Sequence, residues 1–144
     1  MYGCIPIDIP LMVNEKLKKG DDGRLVDASM YRSLVGSLFY LATLGPDLMF
    51  IASLLLRFPS EPTHLHLGSA KRVLSYVLET MDYIIRFEKN SMLEVVKGSC
   101  DNDWSRNLDD MNNTSCYVFN LLSSMISWCS KKRDIMAQSS AEAE

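Results

Sequence analysis

The stretch Val77-Leu-Glu-Thr-Met-Asp-Tyr-Ile-Ile-Arg-Phe87 decides the fold class, because the spacing of apolar residues changes within it. Upstream, apolar residues recur every three or four positions, as they do along the buried face of a helix. From Tyr83 onward the chain is rich in β-branched and aromatic residues, which favour strands. The sequence therefore predicts an α+β protein, with helices before residue 83 and strands after it.

Three helices are predicted over residues 27–82, after an extended and turn-rich lead over residues 1–26. Asp27 can accept free amide protons of a first turn, so the first helix should begin at Ala28 or Ser29. Pro46 suits the first turn of a second helix, and Thr63 can cap a third. The positions assigned to the buried faces are Tyr31, Leu34, Val35, Leu38, Tyr40, Leu41, Leu44, then Leu48, Ile51, Ala52, Leu55, Leu56, then Leu65, Leu67, Ala70, Val73, Leu74, Val77 and Leu78.

Strand patterns occupy residues 83–87, 93–100, 117–120 and 125–128, with a turn at 90–91. Strands in close succession predict an antiparallel meander. The last residues, 139–144, have the pattern of a capped first helical turn, and the sequence stops there. We therefore expect residues 83–144 to form part of a domain rather than a complete one.

Composition excludes several function classes. The 144 residues carry a net charge of -3, so no overall basic field draws the chain to nucleic acid, and any such contact must be local. No signal peptide, membrane-length apolar run or nucleotide-cradling glycine motif is found, and no cysteine pair has metal-ligand spacing. The sequence predicts an intracellular protein, cytoplasmic or nuclear, with reduced cysteines, no membrane partner and no small-molecule substrate.

Two groups of charged residues are candidates for a site. Asp101-Asn-Asp-Trp104 follows a predicted strand, and Asp109-Asp110 lies in the next loop. Carboxylates at a strand end suit Mg²⁺, although Asp and Asn are also ordinary turn formers. Four basic residues could contact a phosphate backbone or simply form a solvated helix face: Arg32, Arg57, Lys71 and Arg72.

The two histidines are not expected to bind a metal. His64 and His66 are two residues apart, so on a helix they diverge by about 200° and cannot hold one ion from the same face. We interpret both as polar residues at a helix entry.

Several motifs resemble a known family. Tyr31-Arg-Ser-Leu-Val-Gly-Ser-Leu-Phe-Tyr-Leu, Pro46-Asp-Leu-Met-Phe and Ala70-Lys-Arg-Val-Leu-Ser-Tyr resemble the stretch that follows the polymerase active site in copia-type retrotransposon Pol polyproteins. Cys100-Asp-Asn-Asp-Trp, Ile126-Ser-Trp and Ala137-Gln-Ser-Ser-Ala-Glu-Ala-Glu are similar to the start of that family's ribonuclease H domain.

The resemblance implies different roles for the two parts of the chain. Residues 27–82 would correspond to the thumb or connection helices of the reverse transcriptase, which hold the primer–template duplex. Residues 83–144 would be the first part of a ribonuclease H-like fold, which cleaves RNA in an RNA–DNA hybrid with Mg²⁺. By motif, Asp101 matches the first catalytic aspartate and Glu144 the glutamate of the first helix. Both are metal ligands in the family, whereas Asp103 belongs to the motif without being assigned as one.

Departures from the family pattern predict that the chain is a degenerate fragment, inactive alone. The polymerase aspartates would lie upstream and the other ribonuclease H carboxylates beyond Glu144. Glycines of the family are replaced by Cys116, Leu122 and Ser124. Alternatives left open are a duplex-binding module, ribonuclease H activity complemented by a second polypeptide, and protein contacts through an unpaired edge strand.

Overall fold

A computed structural model describes residues 5–11, 17–20, 23–87, 96–103 and 114–132. The chain divides into two compact units, residues 1–82 and 83–144. The first, the helical unit, contains α1 (Ala28–Ala42), α2 (Pro46–Leu55) and α3 (His64–Glu79). The second, the sheet unit, contains β1 (Val96–Asp103), β2 (Thr114–Leu121) and β3 (Ser124–Lys132). The predicted α+β class, with three helices before an antiparallel sheet, is confirmed.

Helix α1 begins where its capping residue predicts. An Asp27 carboxylate oxygen accepts hydrogen bonds from the backbone N–H groups of Ser29 at 2.7 Å and Met30 at 3.1 Å. These donors have no partner inside the helix, so the side chain supplies the missing acceptor. The two hydrogen bonds favour the ionised carboxylate and lower the pKa of Asp27 below its ordinary value of 3.8.

The Asp27 cap should make the helical unit sensitive to acid. Because the pKa of Asp27 is lowered in the folded state, the stabilisation is fully present above the ordinary value of 3.8. It is lost as the pH falls through the lowered pKa. We expect acidification to reduce the melting temperature of the native chain more than that of Asp27→Asn, which keeps a capping oxygen but does not titrate. Equal losses in thermal unfolding followed by circular dichroism would contradict this assignment.

The helical core confirms most of the predicted apolar faces. Buried side chains come from all three helices, from the lead and from the connection between α2 and α3: Leu17, Tyr31, Val35, Leu38, Ala42, Leu48, Ile51, Ala52, Leu55, Phe58, Leu67, Ala70 and Val73. The lead therefore contributes Leu17 to the core, which its turn-rich composition did not predict.

Four predicted core positions are wrong. Tyr40 is 71% exposed and Leu44 68% exposed, while Leu56 and Leu65 are each 42% exposed. Tyr40 follows Val35 by five residues, so the helical repeat turns it about 140° away from the buried face. Leu44 and Leu56 follow the last residues of α1 and α2 and so leave the helical repeat.

A buried hydrogen bond from Tyr31 connects α1 to the end of α2. Its hydroxyl donates a hydrogen bond to the backbone oxygen of Leu55 at 2.9 Å. Leu55 is the last residue of α2, so the donors to its carbonyl come from outside the helix, and the N–H of Phe58 at 3.3 Å is the second one. Burial raises the pKa of the Tyr31 phenol, which therefore remains a hydrogen-bond donor.

The lead is fixed to the entry of α3 by backbone pairing. Leu25 forms an antiparallel bridge with Thr63. The N–H of Val26 donates to Pro62, and the N–H of His64 donates to Arg24, both at 2.9 Å. His64 is the first residue of α3, so this contact satisfies one of the amides that a helix start leaves free.

The sheet unit is the predicted antiparallel meander, in the order β1-β2-β3. The β2–β3 register shifts between Phe119 and Asn120. Residues 83–87 are not a strand, so that prediction is wrong. There the Arg86 carbonyl accepts a hydrogen bond from the Ser124 side chain instead of entering a ladder. The predicted turn at 90–91 and residues 93–95 lie outside the described residues.

Leu122 sits in the tight turn between β2 and β3 with a φ of 57°. Among the described residues it is the non-glycine residue with positive φ, whereas Cys116 and Ser124 do not share this conformation. Positive φ costs a side-chain-bearing residue about 1–2 kcal/mol. Of the three positions where the resemblance implies glycine, Leu122 is the one with the positive φ that glycine adopts without strain.

Replacing Leu122 by glycine should stabilise the sheet unit. The relief of the positive φ exceeds the entropic cost of glycine in the unfolded chain, leaving a net gain of about 0.5–1 kcal/mol. Ser123, one residue further along the same turn, does not have a positive φ. Ser123→Gly therefore relieves no strain and should be neutral or destabilising. Urea unfolding of both variants tests this, and a loss of stability in Leu122→Gly would refute it.

Candidate functional site

The candidate metal ligand Asp101 lies on β1, at the edge of the sheet that the described residues form. It is the sixth residue of β1, exposed, and directly opposite Cys116 of β2. The sequence placed it just after a strand, but β1 continues to Asp103. That prediction is corrected because the ladder with β2 extends to the pair of Asp103 with Thr114.

Asp101 brings a hard carboxylate oxygen to this part of the sheet. Cys116, opposite it, has a soft sulfur whose thiol donates to the Ser130 hydroxyl at 3.3 Å. Mg²⁺ prefers carboxylate, carbonyl and water oxygens. Over the described ranges, no three His, Cys, Asp or Glu side chains lie together as a metal site. The described residues thus offer Asp101 as a possible ligand but do not by themselves form a magnesium site.

The other acidic residues that the sequence grouped with Asp101 fall in ranges that the structure does not describe. Glu144, the second predicted ligand, and the acidic pair Asp109-Asp110 lie outside the described residues. A cleft of about 380 Å³ does occur in the sheet unit, between residues 84–86 and 123–125. Asp101 is not among its lining residues.

Two of the four predicted basic residues lie near the connection between α2 and α3. Arg32, on α1, is exposed, and its guanidinium donates to the backbone oxygen of Pro59 at 3.3 Å. Arg57 lies two residues before Pro59 and is half-buried. Arg32 therefore has a structural contact and also faces solvent.

The other two basic residues are neighbours on α3. Lys71 is exposed, whereas Arg72 is half-buried and its Nε donates to the backbone oxygen of Ile9 at 3.2 Å. Successive helical residues point about 100° apart, so the two side chains leave α3 in different directions. Arg32 and Lys71 are the two of the predicted set that are most available to a phosphate backbone.

Sequence reasoning missed two residues. His66, predicted as a polar entry residue, is completely buried, and its Nδ1 accepts the Thr63 N–H at 3.0 Å. The sequence contained a sign of this contact, because His66 is the third residue of α3. At that position Glu or Gln commonly completes a capping box with the N-cap residue, here Thr63. Lys97, also overlooked, precedes Asp101 by four residues on β1 and shares its face of the sheet, because side chains alternate along a strand.

In the part of the chain that the structure describes, no helix combines the length and the apolar character that crossing a bilayer requires.

Curated proteins similar to the chain include transposon proteins. Over 144 residues it is 37% identical to the retrovirus-related Pol polyprotein from transposon RE1 of Arabidopsis thaliana, covering all of this chain and 10% of that protein. It is 34% identical over 137 residues to a putative transposon Ty5-1 protein of Saccharomyces cerevisiae, covering 94% of this chain and 44% of that one. It is 36% identical over 115 residues to secreted RxLR effector protein 161 of Plasmopara viticola, covering 79% and 80%. No family model matches the chain, and no solved structure matches it.

Most of these relatives are named as transposon proteins, and the chain that resembles them has helices that precede an antiparallel sheet. More particularly, along its whole length the chain is similar to a segment of retrovirus-related Pol polyproteins from transposons. It spans about a tenth of the length of the plant Pol polyproteins that it matches.

Proposed function

We propose that the chain is the segment of a copia-type Pol polyprotein that joins the reverse transcriptase to its ribonuclease H domain. In this proposal residues 27–82 are thumb or connection helices that hold an RNA–DNA duplex. Residues 83–144 supply the first strands of the ribonuclease H domain. The observation that carries the proposal is the match to a Pol polyprotein along all 144 residues.

The order of the structural elements supports the proposal. A helical unit with its own core comes first, and a three-stranded antiparallel meander follows. The motif aspartate Asp101 lies exposed on the first strand of that meander. The order of helices followed by antiparallel strands agrees with the division that the resemblance implies.

The proposed contact with the duplex is electrostatic and independent of base sequence. The net charge of -3 gives no overall attraction to nucleic acid, so the exposed Arg32 and Lys71 have to act locally on phosphates. Neutralising a phosphate releases counterions, and the affinity then falls as salt rises. Binding should therefore be weak at physiological salt and clearly measurable at low salt.

The experiment is a fluorescence anisotropy titration of a labelled RNA–DNA hybrid with the 144-residue chain across a series of salt concentrations. We expect saturable binding at low salt, with log K falling linearly against log salt. Single-stranded DNA of the same length serves as the control ligand and should bind more weakly. Failure to bind the hybrid at low salt would refute the proposal.

We also propose that this 144-residue polypeptide does not cleave the hybrid by itself. Asp101 and Glu144 are the two ligands that the motifs assign, and two carboxylates do not offset the repulsion between two closely spaced Mg²⁺ ions. With Mg²⁺ we therefore expect no cleavage above the protein-free background. Mg²⁺-dependent cleavage that disappears in Asp101→Asn would contradict this.

A further inference from the structure

Strand β1 lies at an edge of the sheet formed by the described residues. In the sheet as described, β2 pairs with one edge of β1, and no described strand pairs with the other. The side chains from Val96 to Asp101 are all exposed. An open edge carries backbone N–H and C=O groups that are free to pair with a strand from another chain.

The charges on β1 are arranged to complement a second copy of the same strand. Lys97 and Asp101 lie on one face of the sheet, with Ser99 midway between them. In an antiparallel pair with Ser99 opposite Ser99, Lys97 of each copy faces Asp101 of the other. The pairing therefore contains the same opposite-charge contact twice, and such cross-strand contacts stabilise a sheet.

The other face of the sheet offers apolar surface to the same pairing. A Cβ atom on Gly98 would lie 2.7 Å from Cε1 of Phe119, so the Phe119 ring covers this glycine. The rings of Phe119 and Tyr117 lie 5.5 Å apart, and each residue is 41% exposed. In the Ser99-centred pair, Cys100 of the second copy lies opposite Gly98 and next to this aromatic surface.

We propose that two copies of this chain associate through β1, in an antiparallel pairing centred on Ser99 that joins their two three-stranded sheets. The interface is isologous, since both copies use the same residues, and it therefore closes as a dimer. This association goes beyond the proposed duplex binding and does not depend on it.

Sedimentation analysis of the full chain without nucleic acid tests the association over a concentration series. We expect a monomer–dimer equilibrium. Lys97→Asp or Asp101→Lys alone replaces two attractive contacts by two repulsive ones and should weaken the dimer by about tenfold or more. The double variant Lys97→Asp/Asp101→Lys restores opposite charges and should restore the dimer. Lys131→Asp, an exposed position on β3, is the matched control.

A chain that is monomeric at all concentrations would overturn the proposal, as would a double variant that stays as weak as the single ones. Circular dichroism of each variant checks that a lost dimer is not a lost fold. Because no nucleic acid is present, failure here leaves the duplex-binding proposal unaffected.

Disulfide trapping tests the register. In a Cys100→Ser background, Ser99→Cys should oxidise to a covalent dimer, because the two residues face each other within disulfide reach. Lys97→Cys in the same background faces Asp101 of the second copy and should not cross-link. In the native chain, the proposed pairing places Cys100 opposite Gly98 of the second copy. The two Cys100 residues then lie two positions apart along the strands, beyond disulfide reach. Efficient Cys100–Cys100 cross-linking would mean a pairing centred on Cys100, with the strands shifted by two residues, and would overturn the Ser99-centred pairing.

Discussion

His66→Ala is expected to lower the free energy of unfolding of the helical unit by about 3 kcal/mol. The imidazole is fully buried and stacks on Phe58 with ring centroids 4.2 Å apart. Its Nδ1 accepts the N–H of Thr63, which is itself buried, so the ring is in the neutral tautomer with its hydrogen on Nε2. Alanine removes the acceptor, leaves that N–H unsatisfied and opens a cavity beside Phe58.

The matched control is His64→Ala, because His64 lies two residues away and is exposed. Its structural contact is a backbone N–H, which alanine keeps, so its effect should be within about 0.5 kcal/mol. His66→Gln retains a capping acceptor without the ring and should fall between the two. Urea unfolding followed by circular dichroism measures all three. Equal losses for His64→Ala and His66→Ala would show that the buried contacts of His66 do not stabilise α3.

The second large effect concerns the affinity for an RNA–DNA hybrid. Arg32→Ala combined with Lys71→Ala should weaken binding at low salt by about tenfold or more, because two phosphate contacts are lost. The slope of log K against log salt should become shallower by about 1–2, which separates lost phosphate contacts from misfolding. Anisotropy titrations over several salt concentrations provide both quantities.

The control for this experiment is Lys18→Ala combined with Lys131→Ala, since both residues are exposed and lie outside the proposed duplex-binding set. It removes the same charge and should change the affinity by less than about threefold. Arg72 is left intact because its side chain anchors the lead through Ile9. If the two double variants lose equal affinity, binding depends on net charge and not on the proposed residues.

The starts of the helices could be predicted from the sequence, because they depend on contacts within one helical turn. Asp27 starts α1 because a carboxylate can accept first-turn amide protons, whatever surrounds it. Pro46 and Thr63 mark the starts of α2 and α3 for similar local reasons. Alternation and turn residues likewise predicted the order and direction of the strands.

Features that depend on contacts between residues distant in the sequence could not be predicted from it. Leu17 enters the core from a polar lead, and His66 is buried because Phe58 and Tyr31 surround its ring. Residues 83–87 have strand composition but no strand partner among the described residues, and composition does not supply one.

The candidate site was predictable only as a set of residue types. The motif identified Asp101, but its pairing with Cys116 follows from the β1–β2 register. Lys97 shares its face only because β1 continues through Asp101, beyond the predicted strand end at residue 100. Register depends on how whole strands align, so a local spacing does not reveal it. The assignment of Glu144 stays a prediction from the resemblance.

The most direct test of the central claim is amide NMR of the 144-residue chain, titrated with an RNA–DNA hybrid at low salt. If the helices hold the duplex, saturable shift changes should cluster around Arg32 on α1 and Lys71 on α3. Residues of β1 to β3 should change less. Shift changes confined to the sheet unit, or no changes at saturating hybrid, would contradict the proposal that residues 27–82 bind the duplex.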